Sequence, residues 1–225
     1  MIKLSLNKEI IEFLKQCGID DDDTLGKFDL YRRFLFEENR KYNLTSIKDE
    51  EGFWIRHICD SASIFRENRN CFSSGKKICD IGSGAGFPAI IIAMCSESYV
   101  YSIESSRKKA DFIRKIAELI GIKNITVFNC RAEEMNKKLE FYGFFDIITA
   151  RAVSKVSNII KHSIKMLGRD SQYILYKTPF SAETEVKEAQ TKFKNMFFTY
   201  QEKFCLPLNM GTRLFVIAKR VKNEK

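Results

Sequence analysis

The run Asp80-Ile-Gly-Ser-Gly-Ala-Gly-Phe-Pro88 constrains this chain more than any other segment. It follows a short apolar strand pattern, Lys77-Ile-Cys-Asp-Ile81, and leads into the apolar stretch 87–95. Glycines let a backbone turn tightly and approach a ligand, and open α/β sheets bind ligands at the carboxyl ends of their strands. Strand, glycine turn and helix in that order predict the first unit of a doubly wound, mainly parallel sheet. The pattern repeats downstream. Strands are predicted over 99–103, 125–128, 145–149 and 173–176, and helices from 87 and over 107–120, 153–167 and 182–193. Two runs in the tail, 197–205 and 213–218, joined through Pro207 and Gly211, predict an antiparallel hairpin at one sheet edge. Upstream the pattern is all helical: helices are predicted over 7–17, from the acidic start Asp20-Asp-Asp-Asp23 to about 42, and over 51–66. The chain divides on this reading into a helical extension, 1–72, and an α/β unit, 73–225.

Composition narrows the class. Of 225 residues 44 % are hydrophobic, enough for a sizeable core, and 38 basic against 29 acidic residues give a net charge of +9. That surplus lies in the last third, where residues 151–225 hold 15 Lys/Arg and 6 Asp/Glu. Two readings stand: an ordinary solvated surface, or an electrostatic footprint for a polyanion. The stretch 87–95 is far short of a membrane span, and residues 1–8 lack the apolar core of a secretory leader. A cytoplasmic protein without membrane contact is expected. Seven cysteines show no CxxC spacing and only two histidines accompany them, so reduced thiols are expected, with no metal site and no disulfide framework.

The glycine loop selects its ligand. In the dinucleotide frame G-x-G-x-x-G the third glycine position is Phe87, and a bulky side chain there opposes the close helix–strand packing that nicotinamide cofactors require. The D-x-G-x-G form suits S-adenosylmethionine, which has no pyrophosphate to cradle. Glu104 ends the second strand 22 residues after Gly82, where a carboxylate accepts from ribose hydroxyls. Cys130-Arg-Ala-Glu-Glu134 follows the third strand, where a backbone N–H and a carboxylate read an adenine ring; the competing reading of Glu133 and Glu134 is a solvated loop. After the fourth strand comes Thr149-Ala-Arg-Ala152, without Asn/Asp-Pro-Pro-Tyr, which disfavours methylation of an adenine amine. No cysteine closely follows the fourth or fifth strand, which removes a covalent route to cytosine C5. Arg151 remains at the reaction face, as an orienting cation or as half of a structural ion pair. Lys177, at the end of the fifth strand, touches a phosphate or is merely exposed.

These residues resemble the RsmG (GidB) family of bacterial small-subunit rRNA guanine-N7 methyltransferases over nearly the whole chain. The resemblance rests on Tyr42-Asn-Leu-Thr-Ser46, Arg56-His-Ile-Cys-Asp-Ser61, the glycine loop, Arg131-Ala-Glu-Glu134 and Phe145-Asp-Ile-Ile-Thr-Ala-Arg-Ala152. It implies a Rossmann-like class I S-adenosylmethionine-dependent fold with an N-terminal helical extension. It implies that Gly82 and Phe87 line the cofactor site, that Ala132 and Glu133 hold the adenine, and that Arg151 sits beside cofactor and target base. By the same resemblance the substrate is 16S rRNA, as a small subunit or an assembly intermediate, and the target guanosine 527 in the 530 loop; a monomer is expected. Two positions depart from the family pattern: Ala89 and Thr178 stand where glycines are common.

Guanine N7 carries an in-plane lone pair and no proton, so it takes a methyl group by direct in-line attack without a general base or a covalent intermediate. Catalysis then reduces to alignment and exclusion of water. The product base is a cation, which points Arg151 toward O6, a phosphate or the cofactor carboxylate. RNA is read on unstacked loop bases. His57 reads as a packing or capping histidine or as an RNA contact. Rival classes are a nicotinamide oxidoreductase, a non-catalytic RNA-binding module, and a methyltransferase of the same class acting on a protein or small molecule.

Overall fold

A computed structural model describes residues 6–221. The segment on which the absence of a leader was judged therefore falls largely outside the described residues. No helix among those described is long and apolar enough to cross a membrane.

Two helices open the chain, α1 (Lys8–Gln16) and α2 (Asp22–Tyr42). Asn7 caps the first by accepting from Glu9 N, and Asp21 caps the second by accepting from Thr24 N. The single helix predicted over 51–66 is broken into α3 (Glu50–Gly52), a π-wound stretch Phe53–Cys59, α4 (Asp60–Ala62) and α5 (Phe65–Asn68). Its apolar spacing was read correctly as helical, but periodicity does not distinguish π from α winding.

The sheet follows as β1 (Lys77–Ile81), α6 (Ala89–Cys95), β2 (Tyr99–Ile103), α7 (Arg107–Leu119), β3 (Ile125–Phe128), α8 (Ala132–Met135), β4 (Phe145–Arg151), α9 (Val156–Lys161), β5 (Leu167–Lys177) and α10 (Pro179–Lys192). It ends with β6 (Met196–Tyr200), β7 (Phe204–Cys205) and β8 (Thr212–Arg220). Strand order is β3-β2-β1-β4-β5-β8-β6, with β7 paired to β8. The first five strands are parallel, and β8 runs antiparallel to both β5 and β6, so the hairpin expected at one edge is present. Order reverses between β1 and β4, and that switch point is where such sheets open a crevice.

Alternation along the strands sorts side chains to two faces. Ile78, Val100, Ile147 and Ile174 pack into one cluster with α6, α7 and the N-terminal helices. Cys79, Ile103, Ile148 and Leu175 pack into the other with α8, α9 and α10. The helical extension thus shares a core with one face of the sheet.

Two further predicted elements differ from the structure. The helix expected over 153–167 shrinks to α9, because Ala152 turns left-handed at φ +55° and Leu167 already pairs with Phe145 in β5. β5 starts ten residues after Ser157 rather than at Tyr173, and its polar beginning carries a register shift opposite Phe145 and Ile147 that no alternation would disclose. Glu133 and Glu134, for which a solvated loop was the competing reading, stand in the first turn of the short α8.

Candidate active site

The turn after β1 is gripped from the extension. Tyr31 donates its hydroxyl hydrogen to the Ala85 carbonyl, and its ring stacks on Phe87 at 4.9 Å between centroids. His57 stacks on Phe87 at 4.2 Å with the planes 3° apart. Phe87 is therefore almost fully buried, its ring turned into the extension. Gly86 permits this at φ +98°, since a β-carbon there would lie 2.7 Å from the Tyr31 hydroxyl and 2.8 Å from Ile90. Gly82 is closed over differently: a β-carbon there would sit 2.6 Å from a Val153 methyl.

Glu104, at the end of β2, is fixed by two backbone amides. Gly84 N–H donates to one carboxylate oxygen and Ser106 N–H to the other, both at 2.8 Å. Each oxygen keeps a lone pair, as the acceptor of two vicinal hydroxyls requires. Beneath the loop, Asp80 accepts from Thr149 Oγ1 at 2.9 Å, and burial pushes its carboxyl up to about 6.

Three clefts meet at Val153. The first, about 230 Å³, lies at the ends of β1 and β2 against α8 and α9, lined by Gly82, Ile103, Ala132, Glu133 and His162 among others. His162 Nδ1 stands 3.1 Å from Glu133 Oε1. The second, about 480 Å³, runs along the glycine loop past Glu104 and His57 to Arg151. The third, about 400 Å³, lies beyond Arg151 among Tyr176, Lys177, Glu185 and Arg213.

Arg151 is the last residue of β4 and lines both larger clefts. Nη1 donates to the Arg56 carbonyl at 2.7 Å and to Asp60 Oδ2 at 3.1 Å, and Nη2 to His57 Nδ1 at 3.3 Å. A guanidinium only donates, so His57 Nδ1 accepts and its proton sits on Nε2, donating to Thr45 Oγ1 at 2.9 Å. Burial, with the Arg151 charge beside it, pushes this imidazole down to about 3. The packing role expected of His57 is what the geometry gives. Asp60 also accepts from Arg213 Nε at 3.0 Å. Arg151 thus takes part in an ion pair and still faces the clefts with two of its five N–H groups uncommitted.

Lys177 is not merely exposed. It is buried, paired with Glu185 at 2.7 Å and donating to the Ser154 carbonyl at 2.8 Å. Thr178 caps α10 by accepting from Ser181 N, in an extended conformation that needs no glycine. Sequence reasoning also missed Tyr31, Asp60, Arg213 and His162. The spacing of His57 and Asp60, three apart on a helix, was the one available signal for Asp60; Tyr31, Arg213 and His162 had none.

The residues fit S-adenosylmethionine. Glu104 offers acceptors to the ribose, Ala132 and Glu133 line a cleft beside it, and a β-carbon on Gly84 would meet no protein atom within 4 Å, so the loop leaves room along its cleft face.

Among solved structures the chain is similar to ribosomal protein L11 methylase from Lactobacillus delbrueckii subsp. bulgaricus, with a TM-score of 0.57 and 16 % identity over 74 % of this chain and 79 % of that one. It is also similar to precorrin-6y C5,15-methyltransferase from Geobacter metallireducens, at 0.52 and 14 %, over 71 % and 87 %. The fold is the Rossmann-like one of class I methyltransferases, and the family to which the chain belongs draws its methyl group from S-adenosylmethionine. The family model for rRNA small subunit methyltransferase G (GidB) matches residues 24–209, and the chain belongs to that family. Relatives named ribosomal RNA small subunit methyltransferase G include one from Lactobacillus helveticus, 30 % identical over 96 % of this chain and 90 % of its own. Another, from Geobacillus sp., is 31 % identical over 93 % and 89 %.

Proposed function

We propose that this enzyme methylates N7 of a guanine in 16S rRNA, guanosine 527 of the 530 loop by family resemblance, working as a cytoplasmic monomer on the small subunit or an assembly intermediate. S-adenosylmethionine supplies an electrophilic methyl group on sulfur. Gly82, Phe87, Glu104, Ala132 and Glu133 would position that donor. Arg151, with two free N–H groups, orients the incoming base or an adjacent anion. The N7 lone pair forms the new bond as the carbon–sulfur bond breaks in line, and no proton has to leave N7.

The observation that carries this reading is the state of the groups beside Arg151. His57 is stacked and neutral with both nitrogens engaged, Asp60 is shared by two arginines, and Glu185 holds Lys177. Among the described residues no cysteine lines either cleft that Arg151 borders. A site whose bases are all committed suits a nucleophile that arrives with its own lone pair. The division at residue 72 is then functional: the sheet holds the donor, and the extension completes the side that meets the acceptor.

The test is methylation of rRNA from a strain lacking the enzyme, followed by nucleoside analysis. The expected product is 7-methylguanosine in 16S rRNA, at one position. A methyl group on a different base atom, or transfer to protein alone, overturns the reading.

A further inference from the structure

The cations lining the two clefts that Arg151 borders fall into two groups. Arg151 and Arg213 share Asp60, and Lys177 is held by Glu185. Arg56 and Lys109 behave otherwise. Both line the cleft that holds Gly84, Glu104 and Arg151, and among the described residues neither side chain has a hydrogen bond, ion pair or ring contact. Two charges without counter-ions in one cleft are a standing demand for an anion.

Each is held there by the fold. Arg56 is the one exposed residue of the π-wound stretch Phe53–Cys59, the other six being buried. Its own carbonyl accepts from Arg151 Nη1, which ties its backbone to the end of β4. Lys109 stands in the first turn of α7 after Arg107 and Lys108, a turn with no acidic residue. Three cations there oppose the helix dipole, so the arrangement is retained at some cost in stability. Arg107 lies 3.7 Å from Asp111 and Lys108 lies over the Tyr42 ring, which leaves Lys109 to the cleft.

We propose that Arg56 and Lys109 form a phosphodiester-binding pair that seats the RNA backbone beside the target nucleotide. This rests on the rRNA methyltransferase reading and gives it a contact. A guanidinium meets a phosphate through two parallel N–H bonds and fixes orientation, whereas an ammonium acts as a point charge. The ligand is a polymer backbone crossing the cleft mouth, because Arg56 is exposed, whereas a donor shielded from water is met by buried groups such as Glu104. The charged last third of the chain adds long-range attraction; the pair sets the register.

The test compares wild type with Arg56→Ala, Lys109→Ala and the double variant, using 16S rRNA from a strain lacking the enzyme. Affinity is measured across a salt series, S-adenosylmethionine binding by calorimetry, and folding by melting. The double variant is expected to flatten the slope of log K against log salt by about 1.4, from about 0.7 per single-stranded phosphate contact. Donor affinity and melting temperature should stay at wild-type values, since neither side chain makes a hydrogen bond or ion pair to protein. An unchanged slope in a double variant that still methylates rRNA overturns the pair and leaves the proposed function standing. Lost donor affinity with an unchanged slope assigns the pair to the donor carboxylate and overturns it too. A wild-type enzyme that binds 16S rRNA but never methylates it would instead break the proposed function.

Discussion

The two halves of the site are built by different means. On the β1–β3 side each group rises from a strand end and is fixed by its own neighbourhood: Glu104 is held by the amides of Gly84 and Ser106, 20 and 2 residues away. At the seam with the extension the contacts join remote segments: Asp60 meets Arg151 and Arg213 at the ends of β4 and β8 across separations of 91 and 153 residues, and Tyr31 reaches Ala85 in the turn after β1 across 54. One half needs only the sheet. The other exists only when the extension is docked, so on that side stability and orientation cannot be changed separately.

The sharpest way to break this contrast is at Asp60. Its side chain and the two arginines it holds are largely buried, so Asp60→Ala leaves two uncompensated cations at the seam. Removing one partner of such a cluster typically costs about 3–5 kcal/mol. Urea unfolding should show a loss of that order, with activity falling alongside. Glu104→Gln keeps one acceptor and the side-chain volume, and should lower donor affinity with a stability change of about 1 kcal/mol. Equal stability losses in the two variants would mean that the halves are not built differently.

The same contrast decides what could be read from the chain alone. Glycines at 82, 84 and 86 before an apolar helix, a carboxylate at the end of the next strand and Ala132-Glu133 after the third are local patterns, and the cleft residues they named lie together around Gly82 and Val153. Arg151 was found from its place at the end of an apolar run, but its partners were not. A salt bridge spanning 91 residues leaves no trace in periodicity. Lys177 failed for the same reason: its burial depends on Glu185, one helix later, and on the Ser154 carbonyl. The apolar spacing of 153–167 was real, yet Met166 and Leu167 serve the sheet core rather than a helix.

Gly86 tests the seam at lower cost. Gly86→Ala drives a β-carbon against Tyr31 and Ile90, an overpacking worth about 1–3 kcal/mol. In a Tyr31→Ala background the same substitution should cost less, with a coupling of at least about 0.5 kcal/mol in a double-mutant cycle. Gly84→Ala is the control on the other half. Its β-carbon meets no protein atom within 4 Å, so it carries only the strain of φ +59°, about 1 kcal/mol, and should weaken donor binding without coupling to Tyr31. Coupling of Gly84 to Tyr31 as strong as that of Gly86 would show the loop to be one rigid unit.

An effect that appears only as pH changes separates His57 from Asp80, two buried groups whose pKa values move in opposite senses. The imidazole lies at about 3 in the folded protein against an ordinary 6.5, so below pH 6.5 the unfolded chain binds the extra proton and stability is lost as pH falls. Asp80 sits at about 6 against 3.8, so the folded protein binds the extra proton between those values, and stability is gained as pH falls through that window. In the wild-type protein the two oppose each other between about pH 6 and 4, and a stability profile there is flattened. His57→Phe keeps a ring against Phe87 and removes the titration, leaving Asp80 alone. Relative to wild type, the variant should gain about 1.4 kcal/mol between pH 8 and pH 5.5, the linkage expected of one histidine that stays neutral on folding. Urea midpoints at those two pH values measure it. If the difference between the proteins does not change with pH, His57 is already charged in the fold, and its Nδ1 cannot be accepting from Arg151.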